Sequence, residues 1–243
     1  MAVIKPSLSG KTYSIWKMLM NYLLFSMDKN LAEDFDPGFR ISLINSCWIC
    51  IESFTKECLY WYIMSNYDKM EIPDEFKYKK GCSSNIQGIG KSKDDIEMVK
   101  FNEELRLKEE FAMKAKGSSW YPVLEICNEI NMPIEKTISQ WEFLQNLYRL
   151  RNGLTHGQTI KILKSNFDHL KDEVSKEYIK SIRYLNGKKV VDMKLLIEKQ
   201  NILDLLNQDV TNFIIDETAK SFDNIAEVFE GSYVSAQWKN MRD

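Results

Sequence analysis

An all-α helical bundle, interrupted by one long loop and carrying one small β-hairpin, is the fold this sequence predicts. Three observations predict it. Apolar residues recur at three- and four-residue spacing over most of the chain, which marks one face of a helix. Only 10 Gly and 5 Pro punctuate the 243 residues, too few for a turn-rich β-sandwich. Hydrophobic residues at 44% and charged residues at 28% supply one sizeable core without a disulfide or metal staple. A single domain over residues 1–243 is therefore expected, with core helices over about 12–66 and 134–229.

The first helix is expected from Thr12 to about Asp28, because Ile15, Trp16, Leu19, Met20, Leu23, Leu24 and Met27 share one face. A second starts at Pro37, with Asp36 as N-cap and the proline where its missing N–H costs nothing. It runs to about Asn66 with a broad apolar surface from Ile41 to Trp61, as a central helix would. Between about 68 and 94 periodicity is lost among Pro73, Gly81, Gly88 and Gly90, which predicts a loop rich in lysine.

Asp94 to Lys116 is polar but built of good helix formers, with a thin stripe at Met98, Phe101, Leu105 and Phe111; a partly exposed helix is expected. A short helix follows Pro122. A longer one, opened by Asn131 and Pro133, turns Ile138, Trp141, Leu144, Leu147 and Tyr148 to the core. Asn186-Gly187, between two apolar-rich runs, predicts a hairpin over about 180–192. Met193 to Phe229 then carries one long helix or two collinear ones, and the tail from Glu230 shows no clear period.

Composition excludes some classes of function. A formal net charge of −2 does not suit a protein that coats nucleic acid, so any phosphate contact must be local. The segment "MAVIKPSLSGK" has no apolar h-region, and five cysteines are an odd number; a reducing cytoplasm is expected. No run reaches the roughly 18 apolar residues that span a bilayer, so no membrane partner is expected.

Several motifs dissolve on inspection. Cys47-Trp48-Ile49-Cys50 has redox spacing but lies inside an apolar helix, where no exposed helix N-terminus lowers a thiol pKa. No second Cys or Cys/His pair completes a zinc set, so neither metal nor cofactor is expected. "NIQGIGKS" approaches a phosphate-binding loop, yet Asn85 stands where the first glycine belongs. His169 is surrounded by charges and receives no role. Glu52 is embedded between Ile51 and Phe54, with Lys56 at the favourable i,i+4 spacing. Either these two line a narrow wet edge or they form a polar site with Asn45.

"RLRNGLTHG", residues 149 to 157, differs in kind. Arg151, a fixed cation, and His156, which titrates near neutrality, leave the same helix-to-loop junction. Such a pair can act on a phosphodiester: the guanidinium clamps non-bridging oxygens and the imidazole moves a proton to or from an adjacent hydroxyl. Asn152 can hold backbone or substrate, while Gly153 and Gly157 let the chain turn. The same residues also suit a plain helix C-terminus, where Arg and His favour the dipole and Gly ends the helix.

"WEFLQNLYRLRNGLTHG" resembles the signature of the HEPN superfamily, small helical domains many of which are ribonucleases. Arg151, Asn152 and His156 match its Arg, polar and His positions in order, and the embedded acid of the apolar second helix corresponds to Glu52. The resemblance implies metal-independent endoribonucleolysis of RNA, by attack of the ribose 2′-OH on the neighbouring phosphorus, with paired motifs lining one cleft of a homodimer. It implies catalytic roles for His156 and Arg151, with Asn152 and Glu52 positioning them. Lys77, Lys79, Lys80 and Lys56 are the expected RNA contacts. A toxin or antiphage effector, governed by an antitoxin or activator protein, is the setting that family habit implies. The alternative is a non-catalytic HEPN-like module that binds a partner protein or a nucleotide.

Overall fold

Helix α2, Pro37–Asn66, forms where it was expected: proline occupies the first position and no Gly or Pro follows between Phe39 and Asn66. The structure is a computed structural model that describes residues 14–29, 37–70, 73–77, 93–117, 120–155, 173–192, 194 and 205–242. In it α1 spans Ile15–Asp28, α3 Lys93–Gly117, α4 Trp120–Glu129, α5 Ile134–Thr137, α6 Trp141–Thr155, α7 Glu173–Gly187, α8 Gln208–Val228 and α9 Tyr233–Arg242. Single 3₁₀ turns occupy Tyr67–Lys69 and Asp74–Phe76. No strand is present among the described residues. The expected Asp36 cap and most of the expected loop lie outside them.

The chain forms two compact units. The first, Met1–Ser53 with Leu147–Asp216, buries Trp16, Met20 and Leu23 of α1 and Leu43, Ile44, Cys47, Trp48 and Ile51 of α2. The Cys50 thiol donates to the Trp16 carbonyl at 3.2 Å, and the Trp48 and Tyr148 rings meet with centroids 5.0 Å apart. These contacts hold α2 against α1 and α6.

The second unit, Phe54–Asn146 with Glu217–Asp243, is centred on three aromatic rings. Phe54 stacks on Phe222 at 4.0 Å, and Trp238 meets Phe222 edge-on at 5.0 Å. The Trp238 indole N–H donates to Asp223 at 2.8 Å, so the buried ring keeps its polar atom satisfied. Phe111 of α3 is buried and packs on Phe76. Met98, Phe101 and Leu105 of the expected stripe are exposed.

The hairpin is absent and a helix stands in its place. Ile179, Ile182 and Leu185 are buried at three-residue spacing, so tertiary burial selects the helical period over the local turn signal. Asn186 and Gly187 end α7 in a Schellman motif: Val190 N–H donates to Leu185 O at 3.1 Å and Lys189 N–H to Asn186 O at 2.9 Å. Lys189 holds the left-handed position with φ 62.

Asn131, expected to open a helix, instead closes α4 in the same way. It has φ 59, and Met132 N–H reaches Cys127 O at 2.7 Å. The expected single helix after Pro133 is two, α5 and α6, separated at Ile138–Gln140. The tail is helical as α9, with Val234, Ser235 and Trp238 buried and Ser232 Oγ capping Ser235 N–H at 3.1 Å. Asn207 caps α8 through Val210 N–H at 3.0 Å.

Candidate functional site

Helices α2 and α6 carry the residues that bear chemistry. Along α2, Asn45, Glu52 and Lys56 are spaced at seven and eleven residues, which places them on one stripe of the helix. All three are half-buried. Asn45 and Glu52 belong to the first unit and Lys56 to the second. Asn45 Oδ1 is buried with no hydrogen-bond partner among the described residues, a state that costs about 1–3 kcal/mol until a donor meets it.

On α6 the last helical turns hold Arg151, and the helix ends just before His156. Its final residue is Thr155, with Gly153 buried in its last turn. Arg151 and Asn152 are thus helical and half-buried, and Arg151 Nη1 donates to Asn152 Oδ1 at 2.9 Å. Asn152 is a side-chain acceptor for this guanidinium. The amide takes one of five guanidinium N–H donors and leaves the rest of the fork able to grip an oxyanion.

Tyr148, one turn before Arg151, packs on Trp48 and anchors this part of α6 to α2. That aromatic contact holds this part of α6 on α2, a positioning that the spacing of Arg151 and His156 alone does not reveal. His156 follows the last helical residue and lies outside the described residues. So do Lys79, Lys80, Cys82 and His169.

Lys77 is exposed at the end of the second 3₁₀ turn, where its Nζ pairs with Asp74 Oδ1 at 2.7 Å. A surface pair of this kind holds by about 0–1 kcal/mol, so a phosphate can displace Asp74. Lys56 lies on α2 and Lys77 beyond its end; both belong to the second unit.

Three of the described thiols, Cys50, Cys58 and Cys127, are inert by environment. Cys47, Cys50, Cys58 and Cys127 are free and buried. Burial, and then the neighbouring Cys47, pushes the Cys50 thiol far up. Burial also raises Cys58, against a hydrogen bond from Ser232 that lowers it. Cys127 is raised by burial and then by Glu135. A thiol so raised is neither nucleophile nor ligand near neutrality. Among the described residues no three His, Cys, Asp or Glu side chains group as metal ligands, and no helix is long and apolar enough to cross a membrane.

Comparison with family models, with curated proteins and with solved structures finds no match to this chain.

Proposed function

We propose that the chain is a metal-independent endoribonuclease of HEPN type, built around Arg151, Asn152 and His156. The observation that carries the reading is the Arg151–Asn152 hydrogen bond at 2.9 Å on the last turns of α6. It holds a half-buried guanidinium on the helical turns that precede His156 in the sequence, with donors left to hold a phosphate. In this reading His156 takes the proton of the ribose 2′-OH. The 2′ oxygen then attacks the adjacent phosphorus, the P–O5′ bond breaks, and the leaving oxygen is protonated. The products are a 2′,3′-cyclic phosphate and a 5′-OH, and DNA, which lacks the attacking hydroxyl, is not cut. Arg151 stabilises the charge that develops on the non-bridging oxygens, Asn152 holds the guanidinium, and Glu52 positions the pair.

The motif works in duplicate across a homodimer, and the biological role is that of a toxin or antiphage effector held in check by an antitoxin or activator protein. Lys77, with Lys79, Lys80 and Lys56, supplies local phosphate contacts to a chain whose net charge is −2.

Purified protein incubated with total RNA in chelator tests this reading. Fragments ending in 2′,3′-cyclic phosphate are expected. Arg151→Ala and His156→Ala should each lower the rate by roughly 10²-fold or more, and Arg151→Lys should restore little, because a point charge cannot reproduce a bidentate fork. Loss of activity in chelator, or unchanged activity in both alanine variants, overturns the mechanism. The negative net charge favours one other reading, a non-catalytic module that binds a partner protein or nucleotide; binding without cleavage would establish it.

A further inference from the structure

The last turns of α7 and the turn that follows concentrate positive charge in a chain whose net charge is −2. Residues 179–194 hold five cations, Lys180, Arg183, Lys188, Lys189 and Lys194, against one carboxylate, Asp192. All five cations are exposed. Because α7 buries Ile179, Ile182 and Leu185, Lys180, Arg183 and Tyr184 stand on its opposite face. Lys188 extends that row, with its backbone N–H on Tyr184 O at 3.0 Å. Asp192 is engaged within its own turn, where Oδ1 accepts the Lys194 backbone N–H at 2.8 Å. Arg183, Lys188, Lys189 and Lys194 make no ion pair among the described residues. Cations elsewhere on the surface do, among them Lys100 with Glu104, Lys220 with Glu217 and Lys239 with Glu230.

Two further observations bear on what this face meets. Lys189 occupies the left-handed position that closes α7, with φ 62, where helix ends favour glycine or asparagine. A cation is thus held in a strained backbone, as happens where a side chain serves a ligand. Tyr184 lies among the cations, with Lys188 Nζ 5.2 Å from its ring centroid. Rings interleaved with cations suit a strand of unpaired nucleotides, whose bases stack while its phosphates meet the charges. Among the described residues from 179 to 192 no large apolar side chain is exposed, so the face lacks the apolar half that a membrane-surface helix inserts. We propose that this face binds the phosphate backbone of single-stranded RNA. It belongs to the same unit as Arg151, whereas Lys56 and Lys77 belong to the other.

The choice of RNA rests on the ribonuclease reading, yet the two fail separately, because a 2′-O-methyl oligouridine lacks the attacking hydroxyl and reports binding without cleavage. Fluorescence anisotropy of that probe with the full chain should show binding that weakens with salt. Arg183→Gln, Lys188→Gln and Lys189→Asn together should weaken it by roughly 10-fold or more and flatten the slope of log affinity against log salt by about 2, at about 0.7 for each contact to a single strand. Asparagine tolerates the left-handed backbone at position 189, so thermal unfolding of this variant should match that of the wild type. Lys100→Gln, Lys220→Gln and Lys239→Gln together remove the same charge and should leave binding nearly unchanged. Equal weakening by the two triple variants, or none by the first, overturns the proposal. Phosphatidylserine vesicles bound through these cations, with the oligouridine unbound, overturn it too. A chain that binds the probe through this face but cuts no RNA keeps the surface and sinks the ribonuclease reading; RNA cleavage indifferent to the first triple variant does the opposite.

Discussion

Gly187→Ala separates the helix from the hairpin that the dipeptide Asn186-Gly187 predicts, because the two structures give the substitution opposite signs. In the structure Gly187 is the last residue of α7, and its backbone is outside the positive-φ region, which Gly231 occupies. A Cβ built on Gly187 meets nothing within 4 Å. Alanine there loses no contact and reduces the freedom of the unfolded chain. Gly costs about 0.8–1.0 kcal/mol against Ala in a helix interior, and at the terminal position about half of that is expected. The gain of about 0.5 kcal/mol corresponds to a rise in Tm of about 1–2 °C for a chain of this size.

In a type I′ hairpin turn the same residue would need positive φ, and alanine would cost roughly 1–2 kcal/mol. Urea unfolding measures the difference: the midpoint should rise with the slope unchanged. Lys189→Gly is the companion variant. It relieves a left-handed lysine at φ 62, a strain of about 1 kcal/mol, partly offset by the extra freedom of glycine in the unfolded chain. A loss of 1 kcal/mol or more in Gly187→Ala refutes the helical assignment and the Schellman motif together.

The other predictions concern core, cap and titration. Phe222→Ala removes the ring stacked on Phe54 at 4.0 Å and should cost about 3–5 kcal/mol in chemical denaturation; a loss under 1 kcal/mol would mean the stack is not part of the core. Asn207→Ala removes the side-chain cap on Val210 N–H and should cost about 1 kcal/mol, while Asn207→Asp should hold stability near its starting value. Cys50, Cys58 and Cys127 are all raised by burial. The unfolded chain therefore loses these thiol protons first, and native stability is complete below the ordinary thiol value of 9.0 and falls as pH climbs above it. The slope is about 1.4 kcal/mol per pH unit for each thiol. Unfolding free energies from pH 8 to 10 in wild type and in Cys50→Ala test it, and identical slopes would contradict it.

Elements that announce themselves by burial on one face were legible in the sequence. Helix α2 was bounded correctly because proline marks its start and aromatic and aliphatic residues fill its length without a breaker. Local signals misled where tertiary burial decided otherwise. Asn186-Gly187 is a strong turn dipeptide, but Ile182 and Leu185 just before it are buried at helical spacing, and burying them costs the hairpin its advantage. Helix α9 escaped notice because one buried position of its face is Ser235, whose hydroxyl is satisfied by Phe229 O at 2.8 Å. A polar letter that the fold has already satisfied counts as solvent-facing in any periodicity argument.

The candidate site shows the same division between what spacing carries and what packing adds. From the sequence, Asn152 is expected to hold backbone or substrate; the structure turns its amide oxygen to the Arg151 guanidinium instead. The interval from Arg151 to His156 suggested a junction between helix and loop; the structure ends the helix at Thr155 within that interval, which places the guanidinium on the last turns of the helix. A side chain that already holds a hydrogen bond to its neighbour on a helix gives up less rotamer freedom when it binds than an unattached one in a loop. Asn45 adds a demand of its own, since its buried Oδ1 has no donor among the described residues. If that donor belongs to a ligand, Asn45→Leu should raise stability and weaken RNA binding together; if Asn45 is an isolated packing defect, the same substitution should raise stability and leave binding unchanged.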